Sequence, residues 1–479
     1  MDSMEPKVLW NYFLELSKIP RGSKHEQAAA QWVADQGKAL GCEVLRDPIG
    51  NVIIKKKATP GLEARPAICL QAHVDMVCEK NEGTQHDFLK DPIPVYRDGD
   101  LLKARGTTLG ADNGIGVATA LAVLAATDIP HGPVEVLVTI DEETGMTGAE
   151  NVQPGILKAK YLLNLDSEEE GFLTIGCAGG IDTIATRKAT WQAPKAGAKG
   201  YRLKVSGLKG GHSGIDIANH RGNAIRFLAR TLYALQQNFE VGIALLQGGN
   251  KRNAIPREAF AILALDPAQE AALKTAVAHV EAESRTAIGA YDPGLAITLE
   301  PVELPAQVMS ETDAKAVVNT LFTMVHGVIA MSPDIPELVQ TSTNLGVLET
   351  KEGAVTFYML HRSSIDASKM TVVDRVSAHC AIGGFEAKHV GGYPGWKPEP
   401  GSDLVKLVKT VHQEMTGKEM KVVAIHAGLE CGIIGEKYPG MEMASIGPDM
   451  WDVHTPDEKV NIPSVGRFWE LLKGILAKV

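Results

Sequence analysis

The 479 residues hold only six cysteines, scattered at 42, 69, 78, 177, 380 and 431, with no Cys-x-x-Cys pair. At this length and spacing a disulfide scaffold is not expected, and a reduced, cytoplasmic protein is. No apolar run reaches the ~18 residues that a spanning helix needs. The start, MDSMEPKVLWNYFLEL, is acidic and amphipathic rather than basic and then apolar, so no secretory leader is expected. Lys and Arg form no dense block beyond the triplet at 55–57, and the net charge is −10. A nucleic-acid or membrane partner therefore has little electrostatic support. Several enzyme signatures are missing too. TGKEM lacks the hydroxyl residue of a phosphate loop, no Gly-x-Ser-x-Gly elbow occurs, and HEQAA lacks the second His of a zinc helix. GADNGIG spaces its glycines differently from the dinucleotide motif.

A chain this long exceeds one ordinary core, so two domains are expected. Helices are expected over 5–18 and 24–39, then two strands around the turn in CEVLRDPIGNVIIKKK. The strands PAICLQAHVD, PVEVLVTIDEE and KYLLNLDSEEE alternate with a helix entered through the Gly-rich LGADNGIG. The same style returns after 392, with a helix over 402–415 and strands KVVAIHAG and MEMASIG. This is the pattern of a layered α/β sheet. Between 182 and 391 the order changes. Strand 200–206, helix 220–238, strands 241–247 and 258–265, helix 267–289 and strand 294–301 make one βαββαβ-like run. Helix 311–328, strands 340–349 and 353–361, helix 368–382 and strand 384–391 make a second. The expected organisation is a discontinuous α/β domain, 1–181 and 392–479, with an inserted α+β domain of ferredoxin-like halves at 182–391. YPGWKPEPGS, rich in Pro and Gly, would be the return crossing.

In open α/β sheets ligands gather at the carboxyl ends of strands. Here those ends carry His73 and Asp75, then Asp141, Glu142 and Glu143, then Asp166, with His454 in the loop after a later strand and Asp112 where a loop enters a helix. Each has an ordinary structural reading when taken alone. Asp112 would be an N-cap, DSEEEG a solvated acidic turn, and HTPDE a helix start capped by Thr455 and closed by Glu458. Together the ordinary readings fail, because buried carboxylates without partners cost several kcal/mol each. Their convergence at one sheet edge calls for cations. His, Asp and Glu without Cys suit zinc, cobalt or manganese. Two Asp and one Glu carry three negative charges, which two divalent ions can balance together with a hydroxide or a substrate carboxylate.

HVDMV, LGADNGIG, DEETG, NLDSEE and HTPDE stand in the order and spacing of a two-zinc metallopeptidase family. The chain resembles that family, which includes carboxypeptidase G-like enzymes, acetylornithine deacetylase-like enzymes and dipeptidases. RGTTLGADNGIGVA, GLKGGHSG, NKRNAIPRE, AIHAGLECG and SIGPDMWDVHTPDE look most like its carnosinase-like dipeptidase branch. The resemblance implies a zinc-peptidase catalytic domain with a lid, and the following roles. Asp112 bridges two divalent metals, most simply Zn²⁺ with Co²⁺ or Mn²⁺ as substitutes, and the Asp112–Asn113 peptide is cis. His73 and Asp166 complete one metal, Glu143 and His454 the other. Asp75 orients His73. Glu142 is the general base, holding the water between the metals and passing its proton to the leaving amine. Asp141 has no implied role and reads as structural, bonding the turn.

For the insertion the resemblance implies that His212 stabilises the oxyanion and that Asn253 and Arg362 hold the substrate carboxylate. Glu430 would anchor the free amino group, and His426 would line the pocket or sit in the core. The insertion is about twice one ferredoxin-like unit, so these groups are expected to act within one chain, after closure. The implied activity is hydrolysis of dipeptides with a free amino terminus, with a preference for Xaa-His dipeptides such as carnosine. An N-acyl-amino-acid deacylase or carboxypeptidase on the same scaffold is the alternative. A metal-stabilised scaffold without catalysis is a third reading, which an unliganded Glu142 argues against. The expected partners are small dipeptides, with a homodimer as a candidate assembly.

Overall fold

A computed structural model describes residues 4–479. The chain divides into two compact units. The first takes the chain up to Gly176, then Trp396–Ala424 and Leu429–Val479. The second takes Cys177–Gly395 and, beyond the expected insertion at 182–391, the short segment Ile425–Gly428.

The first unit is built on an eight-stranded sheet. Its order is Glu43–Arg46, Val52–Lys56, Val134–Thr139, Ile68–His73, Tyr161–Asn164, Glu442–Ser445, Phe172–Cys177 and Lys421–Ile425. The four middle strands run parallel, with His73 opposite Thr139, and Asn164 opposite both Gln71 and Ser445. Ile68–His73 and Val134–Thr139 are buried at every position. Their β-branched and aliphatic runs therefore suit the middle of a sheet covered on both faces. Parallel pairing also brings their carboxyl ends to one edge, which is where the candidate ligands begin. Helix Ala111–Ala125 is buried over nearly its whole length. Its sequence, ADNGIGVATALAVLA, offers small side chains that let it sit close to strand Ile68–His73 and helix Lys7–Leu16.

Two elements of this unit are absent from the sequence reading. Helix Ile462–Lys478 is capped by Asn461, whose Oδ1 accepts the Ser464 N–H at 2.8 Å, with Pro463 in the first turn. A four-stranded sheet pairs Val95–Asp98, Leu101–Ala104, Lys459–Asn461 and Met450–Trp451. It pins both ends of the loop that carries His454.

The second unit is a nine-stranded sheet, antiparallel throughout its pairings. One half holds strands Lys199–Ser206, Gly242–Gly248, Ala259–Leu265 and Ala296–Val302 with helices Ala224–Gln236 and Glu270–Ile288. The other holds Gly179–Lys188, Val339–Lys351, Ala354–Ser363 and Glu386–Tyr393 with helices Glu311–Thr323 and Asp366–Ile382. Each is a βαββαβ ferredoxin-like unit. They join edge to edge where Gln247 and Gly248 pair with Glu349 and Leu348. The second half does not begin at helix Glu311–Thr323, as the sequence suggests. Its first strand, Gly179–Lys188, in fact precedes the whole first half and pairs with Ala354–Ser363 and Glu386–Tyr393. The helix expected over 311–328 stops at Thr323, and Gly327–Met331 is a strand beside Val339–Lys351. Met324 leaves the helix with an extended ψ of 134°, and Gly327 follows at φ 95° where the strand begins.

Candidate metal centre

The centre grows from the carboxyl ends of the parallel strands. Ile68–His73 ends on His73. The strand expected to reach Glu143 stops at Thr139. Asp141 then takes a left-handed φ of 51°, and Glu142–Gly145 forms one helical turn. Adjacent residues on such a turn point about 100° apart, so Glu142 and Glu143 face different ways. Asp141 holds the turn: its carboxylate accepts from the Thr144 hydroxyl and from Thr147 Oγ1 at 2.5 Å. Asp112 lies at the start of the buried helix with non-helical dihedrals, and its peptide to Asn113 is cis. Its carboxylate faces two histidines and caps no helix N–H.

The two oxygens of Asp112 point to different donor groups. Oδ1 lies 3.1 Å from His73 Nε2, which is 3.4 Å from Asp166 Oδ1. Oδ2 lies 3.1 Å from His454 Nε2, which is 3.0 Å from Glu143 Oε2. The sequence therefore names all five side chains that meet here. His73, Asp112 and Glu143 each bring a ligand atom within 4.8 Å of the others, as a metal site requires.

These residues fit divalent cations. Glu143 Oε1 and Asp166 Oδ1 are buried with no hydrogen-bond partner among the described residues. Burial drives Asp166 up to about 7 and Glu168 beside it to about 7. Hydrogen bonds that His454 donates to Asp112 and Glu143 hold its ring protonated up to about 11. Carboxylates recruiting histidines as counter-ions mark a centre short of positive charge. Two imidazoles with carboxylate oxygens are the donors that zinc and its neighbours take.

Three further groups hold the candidate ligands in place. Asp75 is fully buried and lies 3.4 Å from His73 Nδ1. Its carboxylate also accepts the Glu142 and Glu143 backbone N–H groups at 3.0 and 3.2 Å and the Ser23 hydroxyl at 2.8 Å. One side chain thus ties an imidazole to the turn bearing the two glutamates. Changing Asp75 to Asn should weaken metal affinity about 10–100-fold. Competition with a chromophoric chelator measures this, and an unchanged affinity would remove Asp75 from the centre.

Arg21 and Glu458 are the other two, and both were missed. Arg21 is buried and donates to Val74 O at 2.9 Å, Asp75 O at 3.2 Å and Gly110 O at 2.5 Å. Gly110 has φ 68°, and a Cβ there would meet Arg21 Nη2 at 2.5 Å, so only glycine fits. Glu458 does not close a capping box, because no helix starts at 455. Its buried carboxylate accepts four successive backbone N–H groups. Oε2 takes Leu109 at 2.7 Å and Gly110 at 2.9 Å; Oε1 takes Ala111 at 2.7 Å and Asp112 at 3.3 Å. Such a local motif hides a contact spanning some 350 positions of sequence.

Glu142 makes no hydrogen bond or ion pair through its carboxylate among the described residues. Burial, then the charges of Asp166, Glu430 and Glu143, push its pKa well above the usual range, against the pull of His73. Glu430 is buried at the start of helix Glu430–Lys437. Its Oε2 accepts from Gln71 Nε2 at 2.6 Å and Thr139 Oγ1 at 2.7 Å, Oε1 has no partner, and burial raises it to about 7.

His212, Asn253 and Arg362 belong to the second unit. His212 Nδ1 accepts the Gly214 and Ile215 N–H groups at 3.2 and 3.1 Å, which leaves the proton on Nε2. Burial and then Arg362 lower its pKa, so the ring is neutral. Arg362 is buried, donates to Tyr393 Oη at 3.0 Å and lies 3.5 Å from His212 Nε2. Asn253 is exposed, and its backbone oxygen accepts the Ser213 N–H at 2.9 Å. His426 is buried in the same unit, with Nε2 2.7 Å from Ser342 Oγ. A Cβ on Gly214 would come within 2.1 Å of His426 O, so the His212 loop passes against this segment.

The chain is similar to known proteins over its whole length. The chain is 41% identical to the cytosol non-specific dipeptidase of Escherichia coli (strain K12) over 479 residues, covering 100% of this chain and 99% of that one. The crystal structure of aminoacylhistidine dipeptidase from Vibrio alginolyticus superposes with a TM-score of 0.95 at 43% identity, covering 100% of this chain and 98% of that one. Aminopeptidase PepT from Bacillus cereus shares the fold, with a TM-score of 0.58 at 18% identity over 99% of this chain and 98% of that one. The model of peptidase family M20/M25/M40 matches residues 69–478, and the chain belongs to that family.

Proposed function

We propose that the protein is a cytoplasmic dipeptidase that hydrolyses dipeptides with a free amino terminus and prefers a C-terminal histidine. One observation carries the reading. The two oxygens of Asp112 serve separate donor groups, His73 with Asp166 and His454 with Glu143, while Glu142 beside them is left unliganded. The names of the two similar dipeptidases support the substrate class.

His73, Asp112 and Asp166 would hold one divalent ion, and Asp112, Glu143 and His454 a second, most simply zinc. When bound, the ions supply Lewis acidity toward water and the scissile carbonyl. Glu142 takes the proton of the attacking water and delivers it to the leaving amine, a task that suits a carboxylate with a raised pKa. His212 donates Nε2–H to the developing oxyanion, its tautomer fixed by the two N–H groups on Nδ1. Arg362 and Asn253 hold the substrate carboxylate. Glu430 accepts the substrate ammonium through its unpartnered oxygen. The first unit is then catalytic, and the second acts as the lid.

The test is a panel of carnosine, Gly-His, Gly-Leu and N-acetyl-His with zinc-loaded protein. Carnosine and Gly-His should be cleaved fastest, Gly-Leu more slowly, and N-acetyl-His hardly at all. Turnover of N-acetyl-His above that of every free-amino dipeptide would replace this reading with a deacylase.

A further inference from the structure

The second unit contains a cavity of about 530 Å³ that the proposed reaction does not use. It opens beside the first turn of helix Ala224–Gln236 and is also lined by the last residues of Glu270–Ile288 and Glu311–Thr323. Its charge has one sign: Arg221, Arg226 and Arg230 line it, and no lining residue is acidic. Two of these arginines are already engaged. Arg221 Nη2 pairs with Asp216 Oδ1 at 2.8 Å, and Arg230 Nη2 with Glu283 Oε2 at 2.7 Å. The Arg226 guanidinium has no hydrogen bond or ion pair among the described residues. His326 also lines the cavity. Burial and then Arg226 push it down to about 3, so it is neutral near pH 7. Its Nδ1 accepts the Leu345 N–H at 3.2 Å, which makes Nε2 the donor. Phe227 and Tyr291 add apolar wall. The volume falls in the range of small-ligand sites.

We propose that this cavity binds a small organic anion, a carboxylate or phosphate on an apolar body, with Arg226 as its principal charge. An unpaired guanidinium is a fork of donors matched to such groups, and the aromatic walls account for the apolar part. The site also connects to the His212 loop. The His212 N–H donates to Asp216 Oδ2 at 2.8 Å, and Asp216 Oδ1 pairs with Arg221. An anion that draws Arg221 toward itself weakens the hold of Asp216 on that loop, so occupancy tunes catalysis. This coupling rests on the oxyanion role proposed for His212; the binding does not.

Phenyl phosphate is the probe, titrated calorimetrically into zinc-loaded Glu142→Gln protein so that turnover plays no part. Saturable binding is expected, weakened about tenfold or more in an added Arg226→Gln change and less in Arg226→Lys. Inorganic phosphate, lacking the apolar body, should bind more weakly, and benzoate tests the carboxylate arm. No saturable binding of phenyl phosphate, or equal binding after Arg226→Gln, overturns the site. In protein with Glu142 intact, kcat/KM for Gly-His should change with the same half-saturation as binding, and not in Arg226→Gln. An effect that persists in Arg226→Gln, or none at all with the site filled, overturns the coupling.

Discussion

Replacing Glu142 by Gln is expected to lower kcat by about 10²–10⁴-fold while KM stays within a few-fold. The amide keeps the size of the side chain and removes its ability to take a proton. Nothing structural should be lost, since the Glu142 carboxylate bonds no other group and the turn is held by its backbone N–H on Asp75 Oδ1. Metal content and thermal stability should match the parent. Near-parental kcat would dismiss Glu142 as the base, and loss of metal would make it a ligand.

The second large effect should come from Glu458, which lies outside the ligand set. Its two oxygens satisfy four buried N–H groups on the stretch that delivers Asp112. In Glu458→Gln one oxygen becomes an NH₂ facing two N–H donors. Unsatisfied buried donors of this kind cost about 2–4 kcal/mol in total, which lowers Tm by roughly 5–10 °C. Because Asp112 serves both donor groups, metal affinity should fall with stability. A variant that keeps its Tm and its metal would show that residues 109–112 hold their shape without Glu458.

Both predictions concern residues of different legibility. Glu142 and the five proposed ligands could be read because each sits in a short motif: His73, Glu142, Glu143 and Asp166 follow apolar strands, Asp112 opens a helix and His454 lies in the HTPDE loop. Parallel pairing then does the assembling, since Ile68–His73, Val134–Thr139 and Tyr161–Asn164 end together. Glu458 and Arg21 could not be read that way. Their partners are main-chain atoms, which leave no mark in side-chain identity, and HTPDE offered a plausible local use for the acid. The helix expected over 311–328 overran for a related reason. Its apolar residues continue past Thr323 into Gly327–Met331, where strand and helix periods are hard to separate over so few positions. The strand Gly179–Lys188 escaped notice as the start of a ferredoxin-like half because that half resumes only at Glu311.

That last arrangement makes the chain a set of nested insertions. Residues 199–302 form an uninterrupted ferredoxin-like half. They interrupt a second half, which opens at Gly179–Lys188 and closes only when Ala354–Ser363 and Glu386–Tyr393 return to it. Both interrupt the α/β sheet, whose strand Tyr161–Asn164 waits for Glu442–Ser445. Loop closure over longer spans is slower and is rewarded later. The innermost half can therefore form first from local contacts, the middle one next, and the strand edge bearing the proposed metal ligands completes last, after most of the chain has been made. The candidate metal centre is then the last feature that the order of the chain allows to be completed.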